Sequence, residues 1–329
     1  MIKSIQGKKV LVTGGSGSIG SEIVRQCLTS GAEVVRVFSR DESRQYQMQQ
    51  ELGKKNIRFL LGDVRDKDRL KRAMKDIDLV FHAAALKQVP FCEYNPYEAV
   101  QTNVVGTQNM VQAALDAGVA RVVGISTDKS VNPVNTMGAT KLLSERIMTH
   151  ANLWTEDTLF SCVRFGNVLG SRGSVIPLIR QQVEQGGVVQ LTDRRMTRFM
   201  MSIPEAASLV LKSSSLARAG ETFVLPMKAL KVADLITVLR DHFCDQFNIK
   251  KCSIEEVGKR AGEKLHEELV SEEELSHVRK IKGYLVVDHI PGKRKGAFVS
   301  LEKKEYNSTA ATKMSQKEII SLLKKSQVI

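Results

Sequence analysis

The chain has 329 residues, 42% of them hydrophobic and 26% charged, which is enough for one large domain or two closely packed ones. Its formal charge of +13 favours an anionic ligand, but Lys and Arg are spread along the chain, so we expect phosphorylated small molecules rather than nucleic acid. No apolar run approaches the roughly 20 residues that span a bilayer. The N-terminus enters a strand pattern directly, without the apolar stretch of a signal peptide, which predicts a cytoplasmic protein.

The first half of the chain alternates short apolar strands with helical patterns. Strands are predicted in KKVLVT, AEVVRVFS, IRFLLGD, DLVFHAAA, ARVVGIST and FSCVRFG. The intervening segments, such as SEIVRQCLTS before Gly31, space apolar residues as a helix does. Strands that alternate with helices predict an α/β fold with a Rossmann-type doubly wound parallel sheet.

Beyond about residue 170 the rhythm loosens. Amphipathic helices are predicted in RGSVIPLIRQQVEQGG, SIPEAASLVLKSSS and KVADLITVLRDHF, with short strands between them and a last helix in EIISLLKKS. We therefore predict a nucleotide-binding domain over residues 1–170 and a smaller α/β substrate lobe over residues 171–329. Segments of the chain are expected to cross back over this boundary.

The segment VLVTGGSGSIG joins the first predicted strand to the first helix. Glycines in such a turn let the backbone approach a pyrophosphate, which then lies at the positive end of the helix. The preceding strand and the following helix are the context that the dinucleotide-binding fingerprint requires. The turn residues predicted to bind the cofactor are Gly14, Ser16, Gly17, Ser18, Ile19 and Gly20.

The end of the second strand distinguishes NAD from NADP. An NAD enzyme offers an acid to the ribose hydroxyls there, whereas this chain has Ser39 and Arg40, with Arg44 one helical turn further on. A hydroxyl and guanidinium groups suit a 2′-phosphate, so NADP is the predicted cofactor, although Asp41 and Glu42 follow closely. Residues predicted to meet the adenine edge and to let the cofactor lie flat along the sheet are Asp63, Val64, Ala83, Ala84 and Ala85.

The stretch ISTDKSVNPVNTMGATK has the setting of a catalytic site but lacks one expected group. A strand ends at Thr127, a loop follows, and Lys141 is predicted to open the next helix. Four positions before Lys141, where a proton-accepting Tyr is expected, the chain has Met137, and a thioether is neither an acid nor a base. Either this stretch is not a catalytic site, or other groups carry the chemistry; the candidates are Asp128 and Lys129, which stand at the strand end where ligands bind in such sheets.

The motifs together identify a family resemblance. The glycine spacing, GDVRD, HAAALK, NVVGTQN and GATK resemble the extended short-chain dehydrogenases/reductases. STDKSVNP, RFGNVLGSRGSVIP, MTRFMMS and AGEKLHEELVS are similar to the soluble UDP-N-acetylglucosamine 4,6-dehydratases that invert carbon 5, a group that opens pseudaminic-acid and related flagellar or capsular sugar pathways. Two departures are Met137 for the usual Tyr and Ala261 where a Pro usually precedes Gly-Glu-Lys. The resemblance also implies a homo-oligomer, a hexamer or, as the generic alternative, a dimer.

The implied reaction oxidises carbon 4, eliminates water across carbons 5 and 6, and returns the hydride internally. The implied catalytic residues are Thr127, Asp128, Lys129 and Lys141. Lys129 would remove the carbon-5 proton and Asp128 would protonate the leaving hydroxyl, which requires a lowered lysine pKa and a raised aspartate pKa. Lys141 would bond the nicotinamide ribose. The 4-hydroxyl proton is left to Asp128 through a water or to Lys129 acting twice, and the product is either the 4-keto-6-deoxy sugar or the 5,6-ene.

Further residues are candidates for binding UDP-N-acetylglucosamine. Those expected near sugar, uracil, diphosphate or ribose are Lys87, Met137, Asn167, Val175, Pro177, Arg198, Arg260 and Glu263. Arg198 and Arg260 could clamp the diphosphate bidentately, and Val175 and Pro177 are placed in a turn. No set of His, Asp and Glu has metal-ligand spacing, and His82 is expected to pack at a strand end. The alternatives are a non-catalytic NADP-binding protein and a UDP-sugar epimerase or reductase.

Overall fold

The computed structural model describes residues 2–53, 55–218, 220–250, 252–290 and 297–329, and all elements below lie in these ranges. The strands are β1 (Lys9–Thr13), β2 (Val34–Ser39), β3 (Ile57–Leu61), β4 (Leu79–His82), β5 (Arg121–Ile125), β6 (Leu159–Arg164), β7 (Asn167–Val168), β8 (Val189–Leu191), β9 (Thr197–Met201), β10 (Glu221–Val224), β11 (Ala229–Lys231), β12 (Ile254–Glu256), β13 (Val278–Ile281) and β14 (Tyr284–Asp288). The α-helices are α1 (Ser18–Thr29), α2 (Glu42–Leu52), α3 (Lys67–Met74), α4 (Val89–Tyr94), α5 (Pro96–Ala99), α6 (Gly106–Asp116), α7 (Thr136–His150), α8 (Val175–Glu184), α9 (Ile203–Leu216), α10 (Val232–Phe247), α11 (Lys303–Tyr306) and α12 (Gln316–Lys325). Short 3₁₀ or π turns occupy Val100–Val105, Asp128–Ser130, Ala151–Leu153 and Glu273–His277.

The main sheet has nine strands in the order β13-β14-β10-β6-β5-β4-β1-β2-β3. The strands from β3 across to β10 pair in parallel, and β14 and β13 then add antiparallel at the edge. Strands β2 and β3 lie on one side of β1, whereas β4, β5 and β6 lie on its other side. The strand order therefore reverses between β1 and β4. This reversal is where open α/β sheets bind ligands. The predicted Rossmann-type α/β fold is confirmed.

Alternate side chains of β1 pack on opposite faces of the sheet because strand side chains point up and down in turn. Val10 and Val12 belong to the apolar cluster that includes Ile23 of α1 and residues of α9. Leu11 belongs to the cluster on the other face, with Leu70 of α3 and residues of α6 and α7. The helices therefore cover both faces of the sheet.

Three strands from beyond residue 170, β10, β13 and β14, return to the main sheet. Helix α9 also packs on the main sheet, whereas α8, α10 and α12 form a separate apolar cluster around β8, with Ile179, Leu239 and Leu323 fully buried. Two small sheets, β11-β9-β7 and β12-β8, complete it. The division into domains at residue 170 stays a prediction.

Two local expectations need correction. Val175 and Pro177 lie in the first turn of α8 and not in a loop turn; Pro is tolerated there because its missing N–H would have no helical partner. Lys141 lies in the second turn of α7 rather than at its start, because the helix already begins at Thr136 after the Asn135 cap.

All five cysteines are free and buried. None of the helices in the described part of the chain combines the length and apolar character that a bilayer-crossing segment needs.

Candidate active site

The glycines of the turn between β1 and α1 leave no room for a side chain at their positions. Gly14 has a φ of +65°, and a Cβ there would lie 2.7 Å from the backbone nitrogen of Ala84. A Cβ on Gly17 or Gly20 would lie 2.9 Å or 2.2 Å from the carbonyl oxygen of Gly14. Helix α1 then begins without a side-chain cap on its first N–H groups. This cradle of bare backbone and uncapped N–H groups fits a dinucleotide pyrophosphate.

Basic and hydroxyl groups converge beside this turn. The hydroxyls of Ser16 and Ser39 share a hydrogen bond of 2.8 Å at the end of β2. Arg44 and Arg172 line one cavity of about 560 Å³ together with Ser16 and Ser18. Arg172, which the sequence did not single out, donates from its guanidinium to the Ser16 carbonyl and from its backbone N–H to the Ser18 hydroxyl. Burial and the charge of Arg44 lower the pKa of Arg172.

The acids that follow β2 have local partners. Asp41 caps α2 by accepting from the backbone N–H of Arg44 and also pairs with its guanidinium at 3.0 Å. Arg40 lies 3.5 Å from Asp63, whose carboxylate is also bound by Arg65 at 2.7 Å. Despite partial burial, which raises it, the pKa of Asp63 lies below its ordinary value because of Arg65 and Arg40. Asp41 is therefore occupied as a helix cap.

The remaining predicted cofactor residues lie near the turn or in the core behind it. Ala83, Ala84 and Ala85 follow β4 and are half-buried, with the Ala83–Ala84 peptide against Gly14. Val64 is buried in the apolar cluster with α6. Ile19 is half-buried in the first turn of α1. The adenine-edge role of Asp63 and Val64 stays a prediction.

A buried acid–base cluster lies at the carboxyl end of β5. The Asp128 side chain is fully buried, and its Oδ1 accepts from the Thr127 hydroxyl at 2.9 Å and from Lys129 Nζ at 3.0 Å. Lys129 Nζ also donates to Asn167 Oδ1 at 2.9 Å, from the start of β7. Asp128 Oδ2 is buried and has no hydrogen-bond partner among the described residues. A buried carboxylate oxygen without a partner is costly in a purely structural role and suits a group that meets a substrate.

The pKa values of the two lysines of the site are shifted in opposite directions. Burial would lower the pKa of Lys129, but the charges of Asp128 and Glu267 outweigh it, and its pKa lies above the ordinary value rather than below. The pKa of Lys141, which donates to the Ile125 carbonyl, is lowered by burial. The predicted depression of the Lys129 pKa is therefore wrong for this state of the site, because two carboxylates flank the amine.

Met137 lies in the first turn of α7, one helical turn before Lys141. Its side chain is 4% exposed and packs in a small apolar cluster with Cys92 and Ala99, against Leu86 and Val89. The thioether thus fills a core position behind the site. Substrate contact by Met137 stays a prediction.

Four of the predicted substrate residues lie in three different segments: the start of β7, the loop after β4, and α8. Asn167 joins the acid–base cluster through Lys129. Lys87 is exposed, and the neighbouring Gln88 donates to the Gly173 carbonyl, which brings this loop beside Arg172. Val175 packs against the α8 core, while Pro177 is exposed. The structure brings Asn167 directly onto the catalytic candidates and leaves the α8 residues on a separate element.

The segment GEKLHEE, residues 262–268, lies beside the acid–base cluster at the carboxyl end of β5. Arg198 on β9 is 9% exposed, and its guanidinium donates to the carbonyls of Lys264 and Leu265. The guanidinium that was predicted to clamp a diphosphate is therefore bonded to acceptors of the protein itself. Arg260 is exposed, and Glu263 is half-buried with Oε2 buried and unpartnered in the described part of the chain. Their roles toward a substrate stay predictions.

Glu267 was not predicted for the site. The sequence offers adjacent acids at 267 and 268, and the local pattern does not tell which one faces inward. In the structure Glu267 Oε1 lies 3.9 Å from Lys129 Nζ and 3.7 Å from Arg198 Nε. The only signal was its place in a motif that already contained Glu263.

A second buried ionic cluster lies beneath α7. Glu145, Glu274 and His289 place their ligand atoms within 4.8 Å of one another, an arrangement that spacing alone did not reveal. The fully buried Arg164 guanidinium, however, hydrogen-bonds both carboxylates. The pKa of Glu274 is lowered to about 2. Burial alone would raise this pKa, and the charge and hydrogen bond of Arg164 are the main cause of the lowering. Arg164 therefore supplies the positive charge that this acid cluster requires, and it ties α7 to β6.

The chain resembles known proteins over nearly its whole length. Residues 10–289 match the family model described as Polysaccharide biosynthesis protein. An inverting UDP-N-acetylglucosamine 4,6-dehydratase of Campylobacter jejuni subsp. jejuni serotype O:23/36 is 38% identical over 285 residues, 85% of this chain and 83% of that one. A UDP-glucose 4-epimerase of Rickettsia conorii is 38% identical over 329 residues, 96% and 95% of the two chains. The X-ray structure of Pen from Bacillus thuringiensis superposes with a TM-score of 0.91 at 39% identity, covering 99% of both chains.

Proposed function

Because the chain belongs to the polysaccharide biosynthesis protein family, in the inverting-dehydratase group of extended short-chain dehydrogenases/reductases, we propose that it dehydrates UDP-N-acetylglucosamine. The observation that carries the proposal is the Asp128–Lys129–Asn167 cluster, which surrounds the fully buried Asp128 at a strand end on the same edge of the sheet as the glycine turn. An acid and an amine held together are what removal of a carbon-bound proton and loss of a hydroxyl require.

The two proton steps are assigned to separate groups. The unpartnered Oδ2 of Asp128 takes the proton of the 4-hydroxyl, directly or through a water, and gives it to the departing 6-hydroxyl, which leaves as water. The Lys129 amine takes the carbon-5 proton once carbon 4 is a ketone. A nicotinamide cofactor held by the glycine turn and Lys141 would supply the hydride acceptor and donor that the reaction requires. Thr127 fixes the Asp128 carboxylate by a hydrogen bond of 2.9 Å, and Met137 takes no part in proton transfer.

Two products are compatible with these assignments. Hydride return to carbon 6, with the Lys129 proton delivered to carbon 5, gives the 4-keto-6-deoxy sugar with inverted carbon 5. Hydride return to carbon 4, with that proton delivered to the 4-oxygen, gives the 5,6-ene. Either product opens a pathway to pseudaminic-acid, flagellar or capsular sugars, and we place the enzyme in the cytoplasm as a homo-oligomer, a hexamer or a dimer.

We propose NADP as the cofactor. The end of β2 offers the hydroxyl of Ser39 and the guanidinium of Arg44, and Arg172 adds a second cation to the same cavity. Guanidinium pairs suit a 2′-phosphate, which NAD lacks. The Asp41 carboxylate, which could otherwise bind ribose hydroxyls, caps α2 and pairs with Arg44.

A 4-epimerase is the second candidate, favoured by the Rickettsia relative of that name. An epimerase removes hydride from carbon 4 and returns it to the other face, so it has no use for an amine at carbon 5. The placement of Lys129 against Asp128 therefore favours the dehydratase. A non-catalytic role does not explain why the buried Asp128 Oδ2 has no hydrogen-bond partner in the part of the chain that the structure describes.

The test is to incubate the purified protein with UDP-N-acetylglucosamine, without added cofactor, and to record proton NMR spectra. A methyl doublet identifies the 4-keto-6-deoxy product and vinylic signals identify the 5,6-ene. UDP-N-acetylgalactosamine would instead establish an epimerase, and an unchanged substrate would overturn catalysis on this sugar. UDP-glucose serves as the control for the acetamido group.

A further inference from the structure

The turn that carries the predicted catalytic residues is flanked by two buried serines. Ser126 precedes Thr127 and is 4% exposed, and Ser130 follows Lys129 and is 1% exposed. The Ser130 hydroxyl donates to the Thr127 carbonyl at 2.6 Å, within the short 3₁₀ turn Asp128–Ser130. The conformation of this turn therefore depends on what the two serine hydroxyls contact.

Glu145 on α7 contacts both hydroxyls. Its Oε2 accepts a hydrogen bond from the Ser126 hydroxyl and lies 3.3 Å from the Ser130 hydroxyl, which also donates to it. Its Oε1 accepts from the Thr222 hydroxyl at 3.3 Å and from the Arg164 guanidinium. The Glu145 carboxylate is 1% exposed and thus connects both ends of the turn to β6 and β10.

Helix α7 binds the same stretch at a second point. Lys141 lies four residues before Glu145, so the two side chains lie on one face of the helix. The Lys141 amine donates to the carbonyl of Ile125, the last residue of β5. Burial lowers the pKa of Lys141, and the charge of Glu145 opposes this lowering. A test of Glu145 must therefore separate the position of the turn from the charge that Lys141 experiences.

Resting on the proposed function, we propose that Glu145 is a positioning residue for the dehydration. Through the hydroxyls of Ser126 and Ser130 it fixes the turn between them, residues 127–129, so that the acid and the amine of that turn meet the sugar in a reactive geometry. Glu145 acts through the turn and exchanges no proton with the substrate. A displacement of reacting groups by about 1 Å can cost roughly 100-fold in rate.

Glu274 provides a matched control. It is the second carboxylate on the Arg164 guanidinium and is 7% exposed, and within the described residues it also accepts from the Ser271 N–H at 3.0 Å. Glu145→Gln and Glu274→Gln each remove one of the negative charges that balance Arg164. Both variants should therefore lower the unfolding temperature by similar amounts. Of the two acids, Glu145 is the one that contacts the serines.

The first measurement compares steady-state turnover of UDP-N-acetylglucosamine in these two variants. In Glu145→Gln we expect kcat to fall roughly 100-fold and KM to change less than about threefold, because the reacting groups are displaced while contacts to the nucleotide remain. Glu274→Gln should retain kcat within about threefold, because it leaves the turn in place. A native kcat in Glu145→Gln overturns the proposal. An equal loss of kcat in both variants also overturns it, because the ionic cluster would then act only through stability.

A second variant tests the contact itself. Ser126→Ala, Ser130→Ala removes both hydroxyls but no charge, and it leaves the ion pairs of Arg164 intact, so it remains informative if Glu145→Gln does not fold. We expect it to lower kcat roughly 100-fold. Adding Glu145→Gln to it should lower kcat by less than about threefold more, because groups that act through one contact are not additive. A native kcat in the serine variant, or losses that simply multiply, would show that Glu145 acts through the charge on Lys141 instead.

The position of the turn can also be followed without substrate. The Lys129 amine donates to Asp128 at 3.0 Å and to Asn167 at 2.9 Å. A displaced turn breaks these hydrogen bonds, which exposes the amine and lowers its pKa because the contact with a carboxylate is lost. Both changes increase its reactivity toward an acylating reagent.

Trace acetylation with acetic anhydride, followed by mass spectrometry, measures this reactivity relative to the exposed Lys71. In Glu145→Gln and in the serine variant we expect acetylation of Lys129 to increase roughly tenfold, as a fall of one unit in its pKa would produce. Glu274→Gln should behave as the native protein. Unchanged acetylation in the first two variants overturns the inference. A native protein that leaves UDP-N-acetylglucosamine unchanged overturns the proposed function instead, and the acetylation still decides the role of Glu145.

Discussion

The glycine turn and the acid–base cluster lie at the same edge of the main sheet but are built in different ways. The turn is one continuous stretch, and backbone contacts such as that between Gly14 and the Ala83–Ala84 peptide fix its shape. The cluster draws Asp128, Asn167 and Glu267 from separate segments, and its properties depend on how their charges balance around Lys129. Local sterics thus determine the shape of the turn that we propose as the cofactor site, while long-range electrostatics determine the pKa of Lys129.

The largest expected effect separates the two proton-transfer groups of the cluster. In Lys129→Ala we expect turnover to fall on the order of 1000-fold, because the carbon-5 base is lost. Oxidation at carbon 4 should survive, so reduced nicotinamide accumulates in a single turnover. Asp128→Asn should abolish that accumulation as well, since Asp128 takes the 4-hydroxyl proton.

Absorbance of the reduced nicotinamide and NMR of the sugar measure the two steps independently. Lys71→Ala, which removes an exposed amine paired with Asp116, is the control and should change turnover less than twofold. If Asp128→Asn still accumulates reduced nicotinamide at the native rate, Lys129 acts twice and the assignment of the 4-hydroxyl proton to Asp128 is wrong. If the double variant Asp128→Asn, Lys129→Ala consumed the sugar normally, the cluster would not be catalytic.

The next effect tests whether sterics alone control the glycine turn. Gly14→Ala combines a positive φ with a Cβ 2.7 Å from the Ala84 backbone nitrogen. The backbone must shift, and we expect cofactor affinity to fall by about tenfold or more, equivalent to about 1.4 kcal/mol. Calorimetric titration with the cofactor measures this.

Gly31→Ala is the matched control for Gly14→Ala. Gly31 also has a positive φ, +82°, but the nearest atom to its Cβ is the Gln6 side chain at 3.6 Å. Both variants should lose roughly 1–2 kcal/mol of stability from the left-handed backbone, and only Gly14→Ala should lose cofactor affinity. Equal affinities in the two variants would refute the close-approach explanation.

A smaller effect is expected where the two regions meet. Arg172 follows β7 and reaches back to the Ser16 carbonyl, beside Arg44. Arg172→Ala should weaken NADP binding about tenfold, the worth of one charge-assisted hydrogen bond of about 1.5 kcal/mol, and change NAD binding much less. Arg194→Ala, which removes an exposed guanidinium paired with Glu256, should leave the ratio of the two affinities unchanged. If Arg172→Ala weakens both cofactors equally, Arg172 holds the turn and does not select the 2′-phosphate.

Sequence reasoning succeeded where the determinants are local. The strand–glycine–helix order and the alternating apolar strands specify the parallel sheet, and the observed strand order confirms the predicted fold. The sequence also placed Asp128 and Lys129 correctly at a strand end, because β5 is a clear apolar run.

Sequence reasoning failed where tertiary contacts decide. The Lys129 pKa depends on Glu267, which lies in a segment that only the folded chain brings near. Arg172 was missed because an arginine between glycines has no periodicity that indicates where it points. The partners of Arg198, the carbonyls of Lys264 and Leu265, likewise could not be inferred from spacing.

The smallest expected effect concerns Met137, the residue that stands where a Tyr was expected. Its thioether is buried with Cys92 and Ala99 and has no acid–base function. Met137→Leu conserves volume and polarity, so it should cost less than about 1.5 kcal/mol of stability, and kcat should stay within about twofold. Met137→Tyr must fit a larger ring and a hydroxyl into the same cluster, and we expect it to lower thermal stability more than it changes kcat. Thermal unfolding and steady-state turnover of the two variants measure this, and a large gain in kcat for Met137→Tyr would show that the cluster around Lys129 does not replace the phenol.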